Sequence, residues 1–207
     1  MTVLDIRFVL FDLGGVLFQL AGIRAFGEMI GEHNEKEVLR LWVINPWVQR
    51  YDRGACSSAE FAAGMVAHFR LDIEPSEFLA RFRTWVPGPH DGALELVRST
   101  KASGVTIACL SNTNEAHWSA DNGLALFTEQ FDRSFLSFEI GHVKPERGAF
   151  EYVVTELDCA PAEILFLDDV QVNVDAAREF GIDAVCAGGV NAVRAILSAR
   201  ALTREPI

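Results

Sequence analysis

Asp12 stands where the apolar run Arg7-Phe8-Val9-Leu10-Phe11 gives way to Leu13-Gly14-Gly15-Val16-Leu17, so one carboxylate is placed at the carboxyl end of a buried strand. Open α/β sheets bind and transform ligands beyond the carboxyl ends of their strands, and paired glycines let backbone amides approach an anion closely. Two residues on, where a second carboxylate would serve as acid and base, the chain has Gly14.

Three further polar groups follow other apolar runs. Ser111-Asn112-Thr113 comes directly after Val105–Leu110 and offers a hydroxyl and backbone N–H groups to an oxyanion. Lys144-Pro145 lies in the loop after Arg133–Ser137. Asp168-Asp169 closes Ile164-Leu165-Phe166-Leu167, and two adjacent carboxylates there are costly unless they meet a cation or take up a proton. One acid from each of two strands can hold a hard cation such as Mg²⁺ through oxygen, with water and a substrate phosphate completing the octahedron. The lysine then neutralises charge on the transferring group while Ser111 and nearby amides orient its oxygens, which suits phosphoryl transfer to a carboxylate nucleophile. Singly, each feature has an ordinary structural explanation: a helix cap, a loop dipeptide, a solvated turn. Four in this order, each after a separate strand, favour the chemical reading.

The elements that must position these groups alternate between strand-like and helix-like patterns, the signature of a mainly parallel sheet with helices on both faces. Strands are expected at Arg7–Phe11, Val105–Leu110, Arg133–Ser137, Ile164–Leu167 and Asp183–Cys186, the first and fourth adjacent. Helices are expected at Gly92–Lys101, Arg147–Leu157, Asn173–Phe180 and Ala192–Ala201, with Gly104 and Gly181 just past helix ends. From Phe18 to Val86 the alternation stops. Phe61, Met65 and Phe69 form an i, i+4, i+8 stripe behind a Ser57/Glu60 capping box, and Phe78, Phe82 and Trp85 form a second stripe after Pro75. The expectation is an α/β, Rossmann-like three-layer core over residues 1–17 and 88–207, with a small helical cap, residues 18–87, inserted after the first strand. Phe18–Ala21 and Pro87–His90 are the expected hinges. Within the insert, Pro46–Gly54 has a loop-like context that suits contact with a polar ligand. The alternative for Trp47 is that it simply anchors the insert's helices.

The chain has 207 residues, 50% of them hydrophobic, ample for a proper core. A formal net charge of -11 makes nucleic acid and anionic membrane poor partners. No apolar run is long enough to span a bilayer and the N-terminus lacks signal-peptide features, so a cytoplasmic protein, monomer or homodimer, is expected. Cys56, Cys109, Cys159 and Cys186 show no metal-ligand spacing and are expected as reduced, structural residues.

With these motifs in place, the sequence resembles the haloacid dehalogenase-like hydrolase superfamily. Its four motifs map onto Phe11-Asp12-Leu13-Gly14-Gly15-Val16, Leu110-Ser111-Asn112, Lys144-Pro145 and Leu167-Asp168-Asp169. The resemblance spans the whole chain, including the helical insert. It implies a Mg²⁺-dependent hydrolase, most often a phosphatase of a small phosphorylated metabolite working through an aspartyl-phosphate. By that resemblance Asp12 is nucleophile and metal ligand, the Gly14 carbonyl a second ligand, and Asp169 a direct ligand with Asp168 acting through water. Ser111, Asn112 and Lys144 hold the phosphate.

Most phosphatases of this superfamily carry a second aspartate where Gly14 stands. General acid–base help is worth about 10²–10⁴-fold, so its loss slows hydrolysis without abolishing it. The Phe-Asp-Leu-Gly start and Ser-Asn-Thr-Asn second motif are similar to a branch that includes sugar-phosphate phosphatases, and an anomeric phosphate leaves easily enough for a site short of an acid. His117 is the first substitute acid to consider, in the phosphate pocket, followed by His33, His90, Arg50 and Arg53. Two other classes stay open: a 2-haloacid dehalogenase, which needs no metal, and a catalytically weak binding or regulatory protein.

Overall fold

The computed structural model describes residues 5–120 and 124–204. β1 (Phe8–Phe11), β2 (Thr106–Ser111), β3 (Arg133–Leu136), β4 (Ile164–Asp168) and β5 (Asp183–Cys186) form one sheet, parallel throughout, in the order β3-β2-β1-β4-β5. β1 and β4 are buried along their whole lengths, as central strands covered on both faces must be. Their period-2 alternation sends Val9, Phe11, Leu165 and Leu167 to one apolar layer and Phe8, Leu10, Ile164 and Phe166 to the other. Phe11 pairs with Leu167, and the Asp12 N–H donates to the Leu167 carbonyl at 2.8 Å, carrying the ladder one step beyond the strand. Register therefore sets Asp12 beside Asp168.

After β1 the chain enters the insert: α1 (Gly22–Ile30), α2 (Glu35–Val43), α3 (Pro46–Asp52), α4 (Ser58–Phe69), α5 (Pro75–Phe82) and a 3₁₀ turn at Arg83–Trp85. Its apolar cluster contains the expected stripes, with Phe61, Met65, Phe78, Phe82 and Trp85 buried and Phe69 packed against them. The Ser57/Glu60 capping box is formed, and Pro75 occupies the first turn of α5. Pro46–Asp52 is helical rather than loop-like. Asn45 caps it by accepting from the Trp47 and Val48 N–H groups at 2.8 and 3.4 Å, and Pro46 opens it, so the signal was an Asn-Pro start. Trp47 anchors the insert's helices, because a Cβ at Gly64 of α4 would collide with its indole.

The two passages between insert and sheet run alongside each other. Gln19 N–H donates to Gly88 O at 2.9 Å, Ala21 N–H to Trp85 O at 2.9 Å and His90 N–H to Leu17 O at 2.8 Å.

The remaining helices are α6 (Ala93–Lys101), α7 (Glu115–Trp118), α8 (Leu124–Thr128), α9 (Ser137–Ile140), α10 (Arg147–Leu157), α11 (Gln171–Phe180) and α12 (Gly189–Ala199). α6 and α12 cover one face of the sheet through Leu96, Val97, Val193 and Leu197, while α10 and α11 cover the other through Phe150, Val153, Val174 and Ala177. The four cysteines are free thiols. No helix among the described residues is long and apolar enough to cross a membrane.

Between insert and core, Gly54 packs tightly against Phe138. The Gly54 φ of 67° lies in the left-handed region, and a Cβ there would collide with the Phe138 carbonyl oxygen. Gly31 has φ 72° but open space around it, which makes it the backbone control. Gly54→Ala is expected to lower stability by about 1–3 kcal/mol in urea denaturation, and by more than Gly31→Ala. Equal losses would mean that contact with Phe138 does not constrain the insert.

Candidate active site

Lys144 is the centre of the site. Its Nζ lies 2.8 Å from Asp12 Oδ1 and 2.6 Å from Asp168 Oδ2, and all three residues are buried. Burial works against the ammonium, but the two carboxylates outweigh it and hold Lys144 above the usual lysine value. Asn112 fixes the lysine from the backbone side: its Nδ2 donates to the Lys144 carbonyl at 2.9 Å and its Oδ1 accepts the Lys144 N–H at 2.8 Å. The Asn112 side chain is thus committed to positioning Lys144. A second reciprocal pair joins Thr113 N–H and C=O to the Ser137 hydroxyl at 3.0 and 2.9 Å.

Asp168 has both carboxylate oxygens engaged. Oδ1 accepts from Val170 N–H at 2.8 Å and Oδ2 from Lys144, while Asn173 Nδ2 reaches the two oxygens at 3.2 and 3.1 Å. Asp169, next in sequence, is the most open of the three acids to solvent. One oxygen from each of Asp12, Asp168 and Asp169 lies within 4.8 Å of the others, a donor set of hard oxygens that fits a hard divalent cation. Burial pushes the Asp12 carboxyl up to about 7, with Asp168 adding to the rise and Lys144 opposing it. Burial and then Asp168 raise Asp169. One ammonium leaves this cluster with excess negative charge, which a divalent ion would offset. Gly15 makes the cluster sterically possible: at φ 72°, a Cβ there would overlap the Asp169 carboxylate.

A cavity of about 200 Å³ opens beside this cluster, lined by Leu13, Gly14 and Ser111 from the sheet side. Trp42, Trp85 and Asp52 of the insert line it as well, with Asn114, His117 and Trp118 beyond β2. Gly14 leaves no void: a Cβ there would stand 3.2 Å from both methyls of Leu20, whose exposed side chain takes the space of the absent carboxyl.

His117 reaches the cavity wall, but not as an acid. Its ring stacks on Phe82 at 4.1 Å, its Nε2 meets the Phe82 carbonyl at 2.9 Å, and burial pushes its pKa down to about 4. A neutral imidazole bonded this way is a satisfied wall residue, the reading preferred for each of the candidate histidines over that of a substitute acid. His33 and His90 line other depressions. Arg50 lies over the Trp47 ring at 4.9 Å, and Arg53 pairs with Glu146. Asp52 belongs to the Pro46–Gly54 stretch expected to contact a ligand but is not singled out within it, and the last turn of α3 carries it into the cavity. Its signal was faint, a lone acid between Tyr51 and Arg53.

The geometry is matched by kinship. Residues 6–181 match the haloacid dehalogenase-like hydrolase family, and the chain belongs to it. A sesquiterpene phosphatase of Aspergillus oryzae is 25% identical over 175 residues, 84% of this chain and 85% of that protein. Acyl-CoA dehydrogenase family member 10 of mouse is 27% identical over 191 residues, 86% of this chain but 18% of that much longer protein. Among solved structures, a family enzyme from Bacteroides thetaiotaomicron in complex with magnesium and inorganic phosphate superposes with a TM-score of 0.73 at 27% identity, covering 87% of this chain and 93% of that one.

Asp52 yields a test of its own. Burial raises its carboxyl to about 7 from the ordinary 3.8, against the Asn114 hydrogen bond and the Arg53 charge. Between those values the folded state holds a proton that the unfolded chain releases, so this group lowers stability as pH rises. Asp52→Asn is expected to gain stability relative to the parent between pH 5 and pH 8 in urea denaturation without metal. A flat difference across that range would mean that Asp52 ionises like a surface carboxylate.

Proposed function

We propose that this protein is a Mg²⁺-dependent phosphatase of a small phosphorylated metabolite, acting through an aspartyl-phosphate on Asp12. The observation that carries this reading is Lys144, buried and bonded at once to Asp12 and Asp168, with Asp169 completing a three-carboxylate cluster at a cavity floored by Ser111.

Asp12, the Gly14 carbonyl and Asp169 would hold Mg²⁺, with Asp168 acting through water. When bound, the ion neutralises phosphate oxygens and orients the phosphorus. Lys144 keeps one Asp12 oxygen fixed and balances charge on the transferring group, while the Ser111 hydroxyl and adjacent backbone amides receive the other phosphate oxygens. Residues 18–87 act as a cap that opens about the paired passages at Leu17–Ala21 and Trp85–His90, and its closure excludes water from the phosphoryl group.

The cavity walls support a leaving group with an apolar body. Leu13, Phe18, Ile23, Trp42, Trp85 and Trp118 present mainly carbon, so the leaving group carries an apolar body rather than a ring of hydroxyls. The name of the Aspergillus oryzae relative, a sesquiterpene phosphatase, agrees with apolar walls.

A panel of apolar alkyl phosphates, sugar phosphates and 2-haloacids, run with and without Mg²⁺, tests this. Metal-dependent phosphate release, highest on apolar esters and abolished in Asp12→Asn, is expected. Halide release without metal would replace the reading with the dehalogenase, and no release from any compound with the binding or regulatory protein. Gly15→Ala should also weaken Mg²⁺ binding by roughly 10–100-fold, followed by calorimetry, because its methyl displaces Asp169. An unchanged affinity would remove Asp169 from the ligand set.

A further inference from the structure

In a phosphatase of this kind Asp12 attacks phosphorus from one side, and the leaving oxygen departs on the other, into the cavity. With the phosphatase reading as its premise, we propose that Asp52 is the general acid and base of this enzyme, serving from the cap in place of the carboxyl that Gly14 lacks.

Placement is the first support. Among the described residues lining the cavity that Gly14 and Ser111 share, Asp52 is the one carboxylic acid, and His117 is the one other titratable side chain. His117 is bonded to Phe82 and stacked on its ring. The space next to Gly14 is filled by Leu20 carbon, so proton transfer there has no local donor.

Orientation is the second. Both neighbours of Asp52 are tied to the core: the Tyr51 hydroxyl accepts the Ala116 N–H at 3.0 Å, and Arg53 is paired with Glu146. Gly54 packs against the Phe138 carbonyl one residue later. Asp52 is therefore held at a fixed point of contact between insert and sheet domain. Asn114 Nδ2 donates to Asp52 Oδ1 at 3.3 Å, and the Asn114 amide is itself oriented because its Oδ1 accepts the His117 N–H at 3.2 Å. With Oδ1 engaged as an acceptor, Oδ2 is the oxygen that carries the proton.

The charged groups nearby do not undo this. Arg53 is drawn toward Glu146 and the Gln49 carbonyl, Glu115 is bonded to Ser58, and His117 stays neutral. The half-buried Asp52 carboxyl accordingly retains its proton well above the ordinary carboxylate range, where general acids work.

Atoms and charges balance over two steps. As the bond from an Asp12 oxygen to phosphorus forms and the bond to the leaving oxygen breaks, the Asp52 Oδ2 proton passes to that oxygen, releasing an alcohol and leaving Asp52 ionised. Water then gives a proton back to Asp52 as its oxygen bonds to phosphorus and the Asp12–phosphorus bond breaks, releasing phosphate.

The test compares two esters of similar size in the Mg²⁺-loaded protein. The p-nitrophenolate of p-nitrophenyl phosphate leaves without a proton, whereas the alkoxide of 2-phenylethyl phosphate requires one. Asp52→Asn, which keeps the acceptor for Asn114, is expected to lower the first-turnover rate of alcohol release from the phenylethyl ester by about 10²–10⁴-fold, with KM little changed. Formation of p-nitrophenolate in the first turnover should fall by a few-fold at most. Because the result is a ratio of first-turnover rates within one preparation, partial misfolding lowers both rates and leaves the ratio unchanged. Equal losses on the two esters, or no loss on the phenylethyl ester, overturn the proposal while Asp12-dependent turnover upholds the phosphatase. Absence of Mg²⁺-dependent turnover on both esters in the parent protein overturns the phosphatase reading, and Asp52 as its acid falls with it.

Discussion

A buried ammonium shared by two carboxylates organises this molecule. Lys144 belongs to a loop with no sheet hydrogen bonds to hold it, yet its charge must sit between Asp12 at the end of β1 and Asp168 at the end of β4. Removing Lys144 leaves two buried carboxylates facing each other with no cation between them, which is far more costly than the intact cluster is stabilising. Other features follow from that constraint. β1 and β4 must be adjacent and in register, Asn112 must grip the Lys144 backbone, and Asn173 must satisfy what Lys144 leaves of Asp168. The same arrangement turns Asp169 outward, where its carboxylate belongs to the cluster but is not consumed by it.

The insert depends on the core through polar contacts of a different kind. Ala116 N–H donates to the Tyr51 hydroxyl, Tyr51 and Ser58 share a hydrogen bond of 2.7 Å, and the Ser58 hydroxyl reaches Glu115 at 2.7 Å. These contacts run from the insert to α7, the short helix that follows the Ser111-Asn112 turn. The Ser111-Asn112 turn and the insert are therefore linked through one short helix. Such a link rests on a few hydrogen bonds, in contrast to the aromatic cluster within the insert, which is packed throughout.

Gly14 and Gly15 show how differently two adjacent glycines can be constrained. At Gly15 the backbone is left-handed and Asp169 occupies the position of any Cβ, so geometry demands glycine. At Gly14 only the flexible end of Leu20 is close, so the absence of a side chain is a chemical choice rather than a steric one. Beyond Gly14 the cavity meets leucine carbon, and its walls are largely indole and aliphatic carbon.

The sequence by itself determined the sheet and the triad's membership. β strands buried on both faces read as unbroken apolar runs, a polar residue ending such a run can only lie at the sheet's edge, and the family's four motifs then assign Asp12, Ser111, Lys144 and Asp168-Asp169 to one end of it. Element limits fell within a few residues of expectation for the same reason. What only tertiary structure decided is the direction and occupancy of side chains between elements distant in sequence. The Asn112 side-chain amide is spent on a residue 32 positions away, a partner that no local pattern announces. His117 has the chemistry of an acid in isolation and loses it to burial against Phe82. Asp52 looks like an ordinary acid at a helix end until α3 docks and removes its water. Strand patterns are local and survive in the sequence, whereas desolvation and hydrogen-bond commitment are created by packing and exist only in the folded molecule.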